Sequence, residues 1–321
     1  MKKLLTSLLL LAVLASGMAF AAGQQDASDE DKMVIGYATK SSTSPFWIIL
    51  NQGAQDAADE LGVELIMLGP PKENDVVGQL AVLEDLINQE VDALMVAACD
   101  SVGVAPAVQK AKDEGISVIA IGDEILGAEV DSFLATNNYN AAVVAAEWMA
   151  EELGGEGNVV LLNGMIAQGS GKGRYEGFRD TIEAKYPNID IVFSKDCAWE
   201  DEKALAAFED AMAANDKIDG VFVGWDGAAL AAHTALTEAG RIDETLICGF
   251  DCYPQSLKFM KEGTFEANIA QSPYKMGYEG IMSAYKAAMG ETLPKVVDTG
   301  VQLVTPENVD QYIADNGVTL P

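Results

Sequence analysis

Two α/β lobes, each a parallel sheet with helices on its faces and a ligand cleft between them, are the fold this sequence predicts. Three observations lead there. Nearly continuous apolar runs, such as MVIGYAT at 33–39, have the composition of strands buried on both faces. These runs alternate with helical stretches and recur about every 30 residues, the length of a βαβ unit. The rhythm is carried through twice, and at 321 residues one hydrophobic core gives way to two. Two copies of a parallel layer fit better than one very wide sheet. The halves are not similar in sequence, so only the architecture repeats.

The elements follow in order. Lys2 and Lys3 precede an apolar run at 4–14, then Ser16, Gly17 and the small-residue site Ala19-Phe20-Ala21. That pattern is a secretory signal peptide over 1–21, cleaved after Ala21. A membrane anchor is the alternative, but the run is short for a bilayer and ends in a cleavage site. Residues 22–32 are polar and acidic and read as a disordered leader. Strands are expected at 33–39, 63–68, 93–98 and 117–122. Pro45 opens a helix that runs to Leu61. Asn74 or Asp75 caps the next helix, and Ser101 caps a third that ends at Gly115. A lobe boundary falls near 135–139, and a helix at 140–153 begins the second half. Strands at 158–163, 189–194, 219–224 and 245–250 follow. In the tail, 267–270 and 300–303 read as extended pieces around a helix at 276–289, as if the chain crosses between lobes more than once.

Composition narrows the function. Fifty Asp+Glu against 20 Lys+Arg give a formal charge of −30. Loss of residues 1–21 removes two lysines and no acid, so the exported chain would carry −32. Nucleic-acid phosphates and anionic membrane surfaces are therefore poor partners. The chain is still 49% hydrophobic, as a folded protein requires. No cysteine stands near the cleavage site for lipid attachment, so the product is expected free in the periplasm.

Open parallel sheets place ligands at the carboxyl ends of their strands. The residues that follow the expected strands are Ser44, Phe46 and Trp47; Asp123 and Glu124; Lys172 and Arg174 at the end of a Gly-rich loop; Trp199; Trp225 and Asp226; Asp251; and Gln271. Flat aromatics stack on sugar rings, and carboxylates, amides and cations satisfy ring hydroxyls. Duller roles stand beside these. Trp47 could instead pack in the core of a first helical turn, though its place after Pro-Phe at a strand end favours binding, and Asp123, Glu124 and Asp226 are placed to cap turns or helices. One of Lys172 and Arg174 reads as a solvated loop charge. His233, in an Ala-rich helical stretch, reads as structural.

Several motifs fail. The segment Gly169-Ser170-Gly171-Lys172-Gly173 resembles a phosphate loop, but Ile166 stands where Gly is needed and Gly173 where Ser or Thr is needed. There is no nucleophile elbow, zinc-protease helix or EF-hand loop, and one His cannot serve a His-rich metal site. No cofactor, metal or catalytic residue is expected. Cys99, Cys197, Cys248 and Cys252 read as free buried thiols, with a Cys197–Cys252 or Cys248–Cys252 bridge as the alternative.

The chain resembles the periplasmic solute-binding proteins of the ribose/galactose type, which feed sugar ABC transporters. The resemblance rests on IGYATKSSTSPFW at 35–47, NQGAQDAADELGVEL at 51–65, GQLAVLEDLINQEVDALMVA at 78–97, LATNNYNAA at 134–142, RYEGF at 174–178, CGFD at 248–251 and NIAQSP at 268–273. It implies two Rossmann-like lobes joined by a three-segment hinge. The first lobe would take 33–136 with 272–300, and the second 137–271 with 301–321. It implies Phe46 and Trp47 as first-lobe aromatics, Ser44 as a polar contact, Lys172 near a family Arg, Trp199 as the second-lobe stacking ring, and Asp251 and Gln271 as ligand contacts. Trp225 departs from the Asn of many members, Lys172 from Arg, and Gly122-Asp123-Glu124 from an Asp-Arg pair. These departures point away from ribose itself.

The expected function is a monosaccharide (pyranose or pentose) or cyclitol receptor whose lobes close on the ligand. Its partners would be a membrane ABC permease and a chemoreceptor, and the protein would be a monomer. The alternative is a secreted glycoside hydrolase using two of Asp123, Glu124, Asp226 and Asp251. A regulator of the lac-repressor type shares the core but needs a DNA-binding headpiece and a basic surface, which the leader and the charge exclude.

Overall fold

Twelve strands and ten α-helices, counted among the described residues, alternate along the chain in a computed structural model that describes residues 32–70 and 72–321. The leader expected at 1–21 and residues 22–31 lie outside that range. Residues Met33–Pro321 form one unit.

The first sheet contains β1 (Val34–Ala38), β2 (Glu64–Leu68), β3 (Ala93–Val96), β4 (Ser117–Ile121) and β5 (Ser132–Ala135). Between them run α1 (Pro45–Leu61), α2 (Val76–Asn88) and α3 (Ala105–Asp113), and α4 (Asn138–Glu152) follows β5. The second sheet contains β6 (Glu156–Asn163), β7 (Asn188–Asp196), β8 (Gly220–Val223), β9 (Leu246–Phe250) and β10 (Ala267–Ala270). Its helices are α5 (Gly169–Lys185), α6 (Asp201–Ala214), α7 (Asp226–Glu238) and α8 (Pro254–Glu262). The tail adds α9 (Pro273–Ala288), β11 (Val296–Asp298), β12 (Gln302–Val304) and α10 (Val309–Asn316).

Strand order is β11-β5-β4-β3-β1-β2 in one sheet and β12-β10-β9-β8-β6-β7 in the other. All pairs are parallel except β10–β12. The chain therefore passes between sheets three times: after β5, after β10, and between β11 and β12. The two sheets of six strands are the α/β architecture read from the sequence. The reading missed β5 and β11. Both lie beside the crossings, and at four and three residues they carry no period of their own.

Helix ends follow local chemistry. Pro45 opens α1, and Gly62 closes it in the left-handed region at φ 69°. Asp75 caps α2, its carboxylate accepting from the Gly78 N–H at 2.8 Å. Ser101 does not cap the third helix as expected. The Asp100 carboxylate gathers the N–H groups of Val102 and Gly103 at 2.9 and 2.6 Å into a turn, and α3 starts later, with Pro106 in its first turn.

Both faces of each sheet are covered by buried apolar side chains. On the first sheet, α1 and α9 cross closely: a Cβ on Gly53 would strike the carbonyl of Tyr274, and one on Gly277 that of Leu50. All four cysteines are free and buried, so no bridge staples either lobe. His233 stacks on Phe259 at 3.9 Å, and its Nε2 is 2.9 Å from the Thr264 hydroxyl, a structural setting. Among the described residues no helix is long and apolar enough to cross a membrane.

A candidate binding cleft between the two sheets

The carboxyl ends of β1, β4, β6, β8, β9 and β10 converge on one cleft of about 450 Å³, within the roughly 300–1,000 Å³ range of small-ligand pockets. From the first lobe, the loop after β1 turns sharply because the Ser41 hydroxyl accepts from the N–H groups of Thr43 and Ser44 at 3.1 and 3.2 Å. That turn delivers Ser44, Phe46 and Trp47 to the cleft. Trp47 meets Phe46 edge-to-face at 5.0 Å and is only 5% exposed, so Phe46 offers the freer ring. Trp47 is thus both a core residue and a cleft wall. Glu73 joins from the β2–α2 loop, its carboxyl pushed above the ordinary range by burial, with Lys40 opposing the rise.

The second lobe supplies most of the polar chemistry. Arg174 on α5 is buried. Its Nε donates to Asn138 Oδ1 at 2.8 Å and its Nη1 to the carbonyl of Gly224 at 2.5 Å. The guanidinium lies over Phe250 at 3.7 Å and near Trp199 at 5.5 Å. Burial pulls its pKa down while Asp251 holds it up. Asp251 accepts from Gln271 Nε2 at 2.6 Å, and burial pushes its carboxyl up to about 6 despite Arg174. Trp199 and Trp225 meet edge-to-face at 5.5 Å. Trp225 is 6% exposed and donates to Asp201 at 2.8 Å, so Trp199 is the more open ring.

The backbone is strained at this site. Ala198, Trp199, Asp251 and Cys252 all have positive φ, at 54°, 60°, 104° and 56°. Such conformations persist only where surrounding structure enforces them, and they cluster at functional sites. Gly164 is part of that enforcement, because any Cβ there would occupy the space of the Trp199 ring.

Nine of the twelve residues singled out from sequence line the cleft: Ser44, Phe46, Trp47, Asp123, Arg174, Trp199, Trp225, Asp251 and Gln271. Three do not. Glu124 is exposed beyond the turn that buries Asp123. Lys172 is exposed because two residues from Arg174 on a helix lie on nearly opposite faces. Asp226 is 0% exposed and sits beneath the cleft floor. Its oxygens accept from the N–H of Phe250 at 3.2 Å, the N–H of Tyr253 at 2.5 Å and Asn268 Nδ2 at 2.6 Å. Its role is to hold the loop that carries Asp251.

Sequence reasoning missed Lys40, Glu73, Gln168 and Tyr253. Lys40 carried a signal: a lysine directly after a buried strand needs a partner, and it finds Asp123. Gln168 and Tyr253 carried none. Among the described residues no group of three or more His, Cys, Asp or Glu could hold a metal ion.

The profile of the periplasmic binding protein domain matches residues 35–292. The ribose import binding protein of Haemophilus influenzae is 30% identical over 95% of this chain and 100% of its own length. Two solved structures superpose closely. A carbohydrate transporter solute-binding protein from Agrobacterium radiobacter, in complex with D-arabinose, has a TM-score of 0.85 at 30% identity, covering 90% of this chain and 99% of that one. An ABC transporter solute-binding protein from Agrobacterium vitis, with bound D-fucose, has a TM-score of 0.84 at 32% identity, covering 90% and 100%. With two mostly parallel sheets, three crossings and a cleft at the strand ends already described, the match over most of its length makes this chain a member of the periplasmic binding protein family.

Proposed function

We propose that this protein is the sugar-binding component of an ABC importer, taking a monosaccharide or cyclitol into the cleft between its lobes and delivering it to a membrane permease. The observation that carries the reading is the Arg174–Asp251–Gln271 group. It lines one cleft with a cation, a carboxylate and the amide that donates to that carboxylate, with open aromatic rings at Phe46 and Trp199. A polyol ring with apolar faces and a hydroxyl rim is complementary to that set. Selection follows because a ligand that leaves one of these buried polar groups unpaired loses affinity. Of the sequence departures only Trp225 offers a side chain to the ligand from the cleft wall, and a further flat ring there favours a pyranose or a cyclitol over ribose.

The hydrolase reading gains nothing from the geometry. Of its four carboxylates, Glu124 faces solvent, Asp226 is enclosed beneath the floor, and Asp123 is bound to Lys40 and the Ser170 N–H. No two of them face each other across open space for an acid and a base.

The same reading carries the finer points. The leader is cleaved after Ala21, and the mature protein is a periplasmic monomer whose second macromolecular partner is a chemoreceptor. The first lobe comprises 33–136 with 272–300, and the second 137–271 with 301–321. The sheet memberships of β5, β10, β11 and β12 support these bounds.

The test is a thermal-shift screen of the mature protein against D-ribose, D-arabinose, D-allose, D-fucose, D-galactose and myo-inositol, followed by calorimetry on any sugar that raises Tm. Asp251→Ala is expected to abolish that binding while leaving a cooperative fold. Undiminished affinity in Asp251→Ala would remove this carboxylate from the site, and turnover of chromogenic glycosides would revive the hydrolase.

A further inference from the structure

Asp123 lines the cleft, yet both of its oxygens are engaged by protein. Oδ2 accepts from the ammonium of Lys40, in the same lobe, and Oδ1 accepts from the N–H of Ser170 at 2.5 Å, in the other. Lys40 is 1% exposed and Asp123 2%. Ser170 lies in the first turn of α5, a helix of 17 residues. The carboxylate thus sits at the positive end of a helix dipole and accepts one of the N–H groups that the helix cannot satisfy itself.

A second set of bonds crosses at the same place. Gln168, just before α5, donates from Nε2 to the carbonyl of Cys99 at 2.8 Å, while its Oε1 accepts from Trp199 Nε1 at 2.7 Å. The Gly169 N–H reaches the Ser101 hydroxyl at 3.3 Å. The start of α5 therefore docks on the carboxyl ends of β3 and β4 of the opposite lobe, and the Trp199 ring is tied into the contact through Gln168.

We propose that Asp123 is the closure latch of the molecule, a positioning residue and not a ligand contact. The Lys40–Asp123 pair lies within one lobe and survives opening. The bond to Ser170 joins the two lobes and exists only when they meet. Separation leaves a buried-type carboxylate and a helix N-terminus facing water. Closure puts the charge against the dipole in a dry site, where such a bond is stronger. A ring stacked on Trp199 holds that side chain, hence Gln168, hence the crossing to Cys99, and so favours closure when the cleft is filled. The latch rests on the sugar-binding reading for its purpose but not for its geometry.

Two variants test it. Asp123→Asn keeps the shape and removes the charge. Ser170→Pro deletes the N–H, leaves Lys40–Asp123 intact, and places proline in a first helical turn, where it is tolerated. The probe is whichever screened sugar raises the wild-type Tm most, read by stopped-flow kinetics and small-angle scattering. Both variants are expected to release it roughly tenfold faster or more, with association changed by less than about threefold. The sugar-saturated variants should scatter as larger particles than the wild type. Dissociation unchanged in both variants overturns the latch. So does loss of binding in Asp123→Asn alone with Ser170→Pro unaffected, which would make Asp123 a ligand contact. If no sugar shifts the wild type, the sugar reading fails and the latch is judged on scattering without sugar. There the variants should be the larger, and equal radii for all three proteins overturn it.

Discussion

Two aspartates, Asp226 and Asp251, show how position decides the work of one side chain. Each follows a strand of the same sheet, and burial pushes each carboxyl upward, to about 7 and about 6. Asp251 keeps a face toward the cleft, whereas Asp226 is enclosed by three donors. Asp226→Ala leaves those donors buried and unpartnered, so a loss of roughly 3 kcal/mol or more is expected by denaturant titration. The pH dependence has a definite sign. A carboxyl whose folded pKa is raised takes up its proton more readily in the native state. Its contribution is therefore full below about pH 4 and is lost as pH rises through about 7, and Asp251 and Glu266, the latter also pushed up to about 7, act in the same direction. Asp226→Asn, which cannot ionise, should flatten the fall in Tm between pH 4 and 7. A wild-type slope retained in full would show that Asp226 does not titrate in that window.

Elements place these residues, and the packing of elements has its own tight points. The α1–α9 crossing on the first sheet depends on Gly53 and Gly277, each against a backbone carbonyl of the other helix. Gly53→Ala forces the helices apart, and a destabilisation of roughly 1–3 kcal/mol is expected in urea unfolding despite alanine's better helix propensity. A stability gain would mean that the crossing is loose. Much of this architecture was legible in the sequence because parallel strands buried on both faces must be apolar throughout, and ligands gather at their carboxyl ends. That rule alone led to Phe46, Trp199, Asp251 and Gln271. It could not separate Asp226 from Asp251, since an aspartate after a strand looks the same whether it faces the cleft or the floor. Nor could it find Gln168, whose importance comes from the opposite lobe. The short strand β11 was hidden because its partner is β5, with Val296 opposite Phe133 and 163 residues away along the chain, and β5, paired on its other side with β4, is only four residues long.

At the scale of the molecule, a formal charge of −30 surrounds a cleft whose own charges are largely matched within the protein. Lys40 is bound to Asp123, and Arg174 and Asp251, both on the cleft wall, attract each other without forming an ion pair. The surface acids repel one another across the whole fold, which opposes compaction and is weakened by salt. A neutral ligand does not feel that field to first order, whereas a charged one does. Two responses to ionic strength should therefore separate. Between about 20 mM and about 500 mM NaCl, where the Debye length shrinks from roughly 20 Å to about 4 Å, Tm is expected to rise as self-repulsion is screened. Over the same range the dissociation constant for the cognate sugar, measured by calorimetry, should change by less than about twofold. An affinity that weakens steeply with salt would mean the cleft recognises a charged ligand, such as an amino sugar drawn in by the acidic field. The neutral-polyol assignment would then give way, while the fold, the latch and the family membership would stand.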